Sequence, residues 1–131
     1  MQTIIRVGGI MDNKDFVNIA MHQDKRNIFE EYFGNVEMIP NELKEFFKKY
    51  NPVDVEVTMD GNVIHFFPVE KLESLQEEYD LGPGNFVFST CNGDPIFYNI
   101  QGIFSRYHGE TKAKSEKLAE NFGKFLNLID R

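Results

Sequence analysis

The sequence predicts an α+β domain in which helices flank a central, twisted antiparallel sheet. First, hydrophobic, β-prone segments in the middle of the chain are joined by Asp-Gly and Asn-Gly dipeptides, which favour tight hairpins. Second, apolar residues with helical spacing lie on both sides of these segments. Third, 131 residues with 13 Phe and no Trp suit one domain with a Phe-rich core, and no repeat or linker divides residues 1–131.

Residues 1–35 carry the weakest patterns. Residues 3–7 are expected to form a short strand that Gly8-Gly9 closes. A helix is expected over much of residues 24–33, because their apolar side chains share one helical face and Gly34 follows as a stop signal. Residues 16–20 are also largely apolar, and whether they extend this helix upstream stays open.

A clearer helix is expected to begin at Asn41, a residue type that caps helix N-termini, directly after Pro40. Glutamates near its start and lysines near its end suit the helix dipole. Pro52 ends it, because the residue before a proline avoids helical angles. Its apolar face follows the i, i+3, i+4, i+7 spacing of Leu43, Phe46, Phe47 and Tyr50.

Two strands and a third helix follow. Residues 53–59 alternate between apolar and polar side chains, which predicts a strand with one solvent-exposed face. Asp60-Gly61 predicts a hairpin turn, and residues 63–67 return as the partner strand. Pro68 is expected to open a short helix that carries Val69, Leu72, Leu75 and Tyr79.

The strongest hairpin signal lies in residues 86–100. Two β-prone runs there are joined by Asn92-Gly93, a dipeptide that accepts the positive φ angles of a tight turn. Residues 103–108 are expected to add another strand to an antiparallel meander, before a polar loop over residues 109–114. A broad apolar stripe then predicts a final helix from about Ser115 to the C-terminus.

Composition and charge bound the function. The formal net charge of −7 argues against direct nucleic-acid binding, which needs clustered Lys and Arg. It would suit a basic protein partner, but the acidity alone is explained as well by the solubility of a cytosolic protein. The single Cys91 cannot form an internal disulfide. The chain has neither a signal-peptide pattern nor an apolar run long enough for a bilayer. We therefore expect a cytoplasmic protein that does not bind membranes.

Patterns for catalysis and metal binding are weak. His22, His65 and His108 are scattered without ligand spacing, so neither a metal nor another cofactor is expected. Cys91 at a strand end, with His65 or His108 as its base, leaves a Cys/His hydrolase as the enzymatic alternative. No neighbouring Lys, Arg or helix start would activate this thiol, so we expect no enzyme.

Carboxylates are denser than the fold requires in two neighbouring segments. Like charges at this density destabilise a protein, so they point to a partner that neutralises them, with an ordinary solvated face as the alternative. The residues are Asp54, Glu56 and Asp60 on one strand and its turn, followed by Glu70, Glu73, Glu77, Glu78 and Asp80.

Four segments in order resemble the SUKH superfamily, the Smi/Knr-type immunity and cell-wall-regulator domains. Residues 39–51 (IPNELKEFFKKYN) are similar to its LP-x-x-hydrophobic-x-x-F-hydrophobic-x-x-YNG start, and residues 86–96 to its hydrophobic strand followed by NGDPI. Residues 107–109 (YHG) and 118–126 (LAENFGKFL) resemble its H-G strand end and its A-x-S-F-x-x-F-L helix. The similarity spans residues 39–129. The sequence departs from the family pattern at Ile39, Pro52-Val53 and Asn121.

The resemblance implies a compact α+β domain without enzymatic activity. Such proteins are mostly immunity partners of bacterial toxins, many of them nucleases, whereas fungal relatives are regulatory adaptors. Our hypothesis is a monomeric or weakly dimeric immunity protein whose carboxylates steer a basic cognate toxin domain, with Tyr79 or Phe86 as an aromatic anchor. A regulatory adaptor for a cellular protein is the alternative.

Overall fold

The computed structural model describes residues 9–106 and 114–131, which contain helices and two antiparallel sheets. The helices are α1 (Asn13–Gln23), α2 (Asn41–Lys49), α3 (Val69–Tyr79) and α4 (Phe122–Leu126). The strands are β1 (Ile28–Glu30), β2 (Asn51–Val53), β3 (Val55–Met59), β4 (Asn62–Phe66), β5 (Phe86–Cys91), β6 (Asp94–Asn99), β7 (Gly102–Arg106) and β8 (Ser115–Ala119).

The larger sheet is a meander of six strands in chain order, β3 to β8, and β1 pairs with β2 in a separate sheet. The predicted α+β class with a central antiparallel sheet is confirmed. Both predicted tight turns are present: the two central residues of Asp60-Gly61 and of Asn92-Gly93 have φ between 50° and 89°. Turns of this kind match the right-handed twist of the strands that they join.

Phenylalanine rings from distant parts of the chain meet in one core, as the composition predicts. The ring of Phe46 in α2 lies 5.9 Å from Phe16 in α1 and 6.1 Å from Phe66 in β4, measured between centroids. It also lies 5.2 Å from Phe122 in α4, and Phe88 of β5 is 5.6 Å from that same ring. All five rings are buried, so three helices are held to the sheet by aromatic packing.

Side chains cover the outer edge of β3, the first strand of the larger sheet. Asn27 accepts a hydrogen bond from the backbone N–H of Glu56 and donates one to its carbonyl, at 2.9 and 2.7 Å. Gln23 accepts from the N–H of Thr58 at 2.9 Å, and the backbone N–H of Asp130 donates to the Thr58 carbonyl at 2.9 Å. A strand edge whose polar groups are bonded in this way does not offer a template for another chain.

A glutamine side chain forms hydrogen bonds with backbone groups of β5 in the same way. The side chain of Gln76 in α3 accepts from the N–H of Val87 at 2.8 Å and donates to its carbonyl at 2.7 Å. The β4–β5 ladder extends only as far as Ser89, so Gln76 bonds the part of β5 that lies beyond it. Helix α3 is thereby attached to the hairpin formed by β5 and β6.

The helix expected over residues 24–33 is wrong. The helix lies upstream as α1, where the Asp12 carboxylate accepts a backbone N–H of the first turn at 2.8 Å. The open question about residues 16–20 is answered, because they lie in α1 and contribute its buried face. Residues 28–30 instead pair with β2, and the buried Asn27 bonds β3. These partners are distant in sequence, so local periodicity does not reveal them.

The final helix is shorter than predicted. Ser115–Ala119 form β8, which pairs with β7, so the expected helix is wrong over these residues. Helix α4 begins only after Asn121, whose side chain accepts the N–H of Lys124 at 2.8 Å. An N-cap inside the apolar stripe therefore marks where the helix starts.

Two boundaries also differ from the prediction. Pro40 occupies the N-cap position of α2 without a side-chain hydrogen bond, so the predicted cap at Asn41 is wrong. The strand predicted over residues 53–59 is split at Asp54, whose φ of 59° separates β2 from β3. Outside the described residues lie the predicted strand over residues 3–7, the last two residues of the strand predicted over residues 103–108, and residues 109–113 of the predicted loop.

Candidate functional site

The predicted carboxylates lie at two places, around β3 and along α3. All eight belong to exposed residues. Their surroundings differ, however, and this difference separates carboxylates that have a structural role from those that do not. The first group comprises Asp54, Glu56 and Asp60, and the second comprises Glu70, Glu73, Glu77, Glu78 and Asp80.

Two carboxylates of the β3 group face a histidine. His65 of β4 lies directly opposite Glu56 in the antiparallel ladder. Its ring nitrogens lie 3.4 Å from a carboxylate oxygen of Glu56 and 3.5 Å from one of Asp54. The ring also packs against Phe67, with 4.4 Å between centroids. His65 is half-buried.

An arginine that the sequence did not assign to this group lies close to it. Arg26 forms an ion pair with Asp24 at 2.7 Å, and this hydrogen bond lowers the pKa of the Asp24 carboxyl to about 2. The pKa of Arg26 is raised, mainly by Asp24 and to a smaller extent by the charges of Glu56 and Asp54. The negative charge around β3 is therefore partly compensated within the chain. Arg26 was missed because residues 24–33 were expected to be helical.

Three of the predicted carboxylate residues occupy positions with a left-handed backbone conformation. Asp54, Asp60 and Asp80 have φ of 59°, 50° and 48°. Asp tolerates this left-handed conformation better than most residues, because its short side chain can bond nearby backbone groups. Asp80 forms the C-cap of α3, and the other two residues precede and follow β3. Local conformation is therefore sufficient to explain an Asp at each position.

Helix α3 carries its glutamates on two flanks. Val69, Leu72 and Leu75 form its buried face. Because successive residues turn by about 100°, residues spaced i, i+3, i+7 share a flank. One flank carries Glu70, Glu73 and Glu77, and the other carries Lys71, Ser74 and Glu78.

Glu73, Glu77 and Glu78 differ from the other predicted carboxylates. Glu70 accepts a hydrogen bond from the side-chain amide of Asn51 at 3.2 Å. Across residues 9–106 and 114–131, these three glutamates form no ion pair and no side-chain hydrogen bond. Glu73 and Glu77 are also like charges at i and i+4, an arrangement that destabilises a helix. The described fold gives these three carboxylates no stabilising contact.

The two predicted anchors differ in accessibility. Tyr79 is half-buried. Its hydroxyl donates a hydrogen bond to the Gly93 carbonyl at 2.9 Å, which joins α3 to the turn between β5 and β6. Partial burial, followed by the negative charges of Glu78 and Asp94, raises the pKa of this hydroxyl. Phe86 is only 8% exposed and packs in the core, so little of its ring is available to a partner.

Cys91 is not placed to react with His65. Ile64 pairs with Cys91 and His65 pairs with Thr90, and paired residues share a face of the sheet. Because neighbouring residues alternate between faces, the Cys91 and His65 side chains point to opposite sides. Burial, and then the charge of Asp94, raises the pKa of the Cys91 thiol. His108, the other base considered, lies outside the described residues.

In residues 9–106 and 114–131, no group of three or more His, Cys, Asp or Glu side chains could hold a metal ion. None of the helices in these ranges has the length and apolar composition needed to cross a membrane.

No protein-family model, curated protein or solved structure matches the chain. The resemblance to the SUKH superfamily therefore remains a prediction from four sequence segments. The carboxylates of α3 and their surroundings are the structural basis for a functional proposal.

Proposed function

We propose that this chain is a non-enzymatic, cytoplasmic immunity protein that binds and neutralises a basic toxin domain. The supporting observation is that Glu73, Glu77 and Glu78 project from one helix without an ion pair in the described residues. Exposed charges of one sign raise the rate at which an oppositely charged protein is encountered. The formal net charge of −7 acts in the same direction.

The charge of the partner follows from the chemistry of its own substrate. A nuclease toxin binds phosphates through clustered Lys and Arg, so it presents a basic surface. An acidic helix that docks there would compete with nucleic acid, and one that docks elsewhere would still benefit from electrostatic attraction. The β3 carboxylates are a weaker choice for this role, because Arg26 and His65 lie beside Asp54 and Glu56.

The geometry around Cys91 supports a binding function over a Cys/His hydrolase. The Cys91 thiol points away from His65, and its raised pKa keeps it protonated at neutral pH. A protonated thiol is a poor nucleophile.

The proposal is tested by affinity capture from the source cells, followed by mass spectrometry. Three tagged baits are compared: the natural chain, the variant E73K/E77K/E78K, and the control E31K/E37K/E116K. The control changes three exposed glutamates outside α3 and alters the net charge by the same amount. Circular dichroism establishes that all three baits fold.

We expect the natural chain and the control to retain a toxin whose captured domain is basic, at near-equal stoichiometry, and the α3 variant to lose it. The purified toxin domain should then be inactive in the presence of the natural chain. Capture of a cellular regulator in place of a toxin would overturn the immunity function in favour of the adaptor. Equal loss with both charge variants would mean that net charge, and not α3, controls binding.

A further inference from the structure

An open groove lies between the segment that precedes α2 and the loop that follows α3. It encloses about 460 Å³, a volume within the range of small-ligand and side-chain binding sites. Gln76 of α3 and Asp80, the C-cap residue of that helix, border it on one side. Its apolar walls are formed by Met38, Pro40, Leu81, Pro83 and Phe86.

The loop wall of the groove is preorganised. Gly82 and Gly84 have φ of 88° and 86°, and Pro83 between them fixes its own φ. The side chain of Asn85 donates to the Leu81 carbonyl at 2.9 Å, and its backbone N–H donates to the Gly82 carbonyl at 3.3 Å. A wall that is ordered before binding loses little conformational entropy when a partner enters.

The flank of α3 beside this groove is acidic. Gln76 and Asp80 line the groove, and Glu73 and Glu77 are their neighbours at i−3 on the helix. Glu78 projects from the opposite flank, together with Lys71. The groove is therefore apolar at its walls and bordered by carboxylates on its α3 side.

We propose that this groove receives one large apolar side chain from a basic segment of the partner, whose Lys or Arg residues contact Glu73, Glu77 and Asp80. Charge complementarity identifies the occupant, since an acidic border beside apolar walls favours an apolar residue flanked by cations. The exposed carboxylates increase the association rate, whereas burial of the apolar side chain supplies most of the binding affinity. This inference rests on the proposed function, because the partner is the same basic toxin domain.

The probe is a pair of synthetic, amidated nonapeptides with equal charge. Each has four lysines before and four lysines after a central residue, which is phenylalanine in one peptide and serine in the other. Nuclear magnetic resonance follows the backbone amides of the full chain as each peptide is added at low salt. We expect the phenylalanine peptide to shift the amides of Met38 and of residues 81–85 and to bind at least roughly fivefold more tightly than the serine peptide.

Two matched pairs of variants locate the contacts. E77K changes a carboxylate on the groove flank, and E116K makes the same change of charge at an exposed residue of β8. M38S removes an apolar wall, and M21S removes a methionine of similar exposure from α1, at 47% against 44% for Met38. We expect E77K and M38S each to weaken binding of the phenylalanine peptide roughly threefold or more, and E116K and M21S to change it less than twofold.

Equal affinity for the two peptides, or shifts spread over the whole surface, would overturn the groove assignment. An absence of shifts at millimolar peptide, or equal effects of E77K and E116K, would also overturn it. The capture experiment separates this failure from failure of the proposed function. A toxin captured through α3 without peptide binding refutes the groove alone, and peptide binding without a toxin refutes the immunity function alone.

Discussion

Replacement of Asn27 by alanine tests whether side chains that cover the β3 edge stabilise the fold. Asn27 is 4% exposed, and its side chain makes three hydrogen bonds. Its amide donates to the carbonyls of Ala20 and Glu56 at 2.8 and 2.7 Å, and its oxygen accepts from the Glu56 N–H at 2.9 Å. Each bond contributes about 1 kcal/mol net, so Asn27→Ala should lower the free energy of unfolding by roughly 3 kcal/mol.

The assay is urea denaturation at 25 °C, followed by far-ultraviolet circular dichroism because the chain has no Trp. Asn18→Ala is the control, since Asn18 is exposed on α1 and should change stability by less than about 0.5 kcal/mol. Asn27→Asp keeps the shape but directs carboxylate oxygens at two carbonyls, so it should be at least as destabilising as Asn27→Ala. A loss below about 1 kcal/mol for Asn27→Ala, with an unchanged denaturant slope, would refute this reasoning.

Four further predictions follow from single contacts. Gln76→Ala removes bonds to Leu72 and to both backbone groups of Val87, and should lower the free energy of unfolding by about 2–3 kcal/mol in the same urea assay. The folded-state pKa of Asp24 is lowered from 3.8 to about 2, so its stabilising effect is complete above pH 4 and disappears as the pH falls towards 2. Asp24→Asn should therefore flatten acid unfolding curves over that interval, and unchanged curves would contradict the Arg26 ion pair. Because its pKa is raised, the Cys91 thiol should react with a disulfide reagent at pH 7.5 more slowly than free cysteine. A faster reaction would favour the Cys/His hydrolase hypothesis again. E73Q/E77Q removes an i, i+4 repulsion and should raise stability by about 0.2–0.5 kcal/mol at low salt, whereas a loss would reveal a stabilising contact.

The sequence predicted those elements whose signals are local. Asp60-Gly61 and Asn92-Gly93 each contain the residues that their turn conformations require, so the two hairpins could be read directly. The spacing of apolar residues in α2 and α3 also sufficed, because each helix buries one face.

The elements that were missed depend on distant partners. Ile28 pairs with Val53, and Asn27 bonds Glu56 across 29 positions, so the pattern of residues 24–33 alone could not distinguish strand from helix. Residues 115–119 are likewise a strand because they pair with β7. The same limit applied to the site, since the position of Arg26 beside Asp54 and Glu56 follows from the fold and not from spacing.

The structural roles of the predicted carboxylates reduce the candidate interface from eight residues to three. Asp54, Asp60 and Asp80 occupy left-handed backbone positions, Glu56 faces His65, and Glu70 is bonded by Asn51. Glu73, Glu77 and Glu78 remain, and the first two repel each other on one helix. Residues that lower stability are common at binding sites, where the requirements of function and stability can be opposed. If E73Q/E77Q is more stable and yet loses the captured toxin, stability and binding are opposed at these positions, an outcome that an ordinary solvated face does not predict.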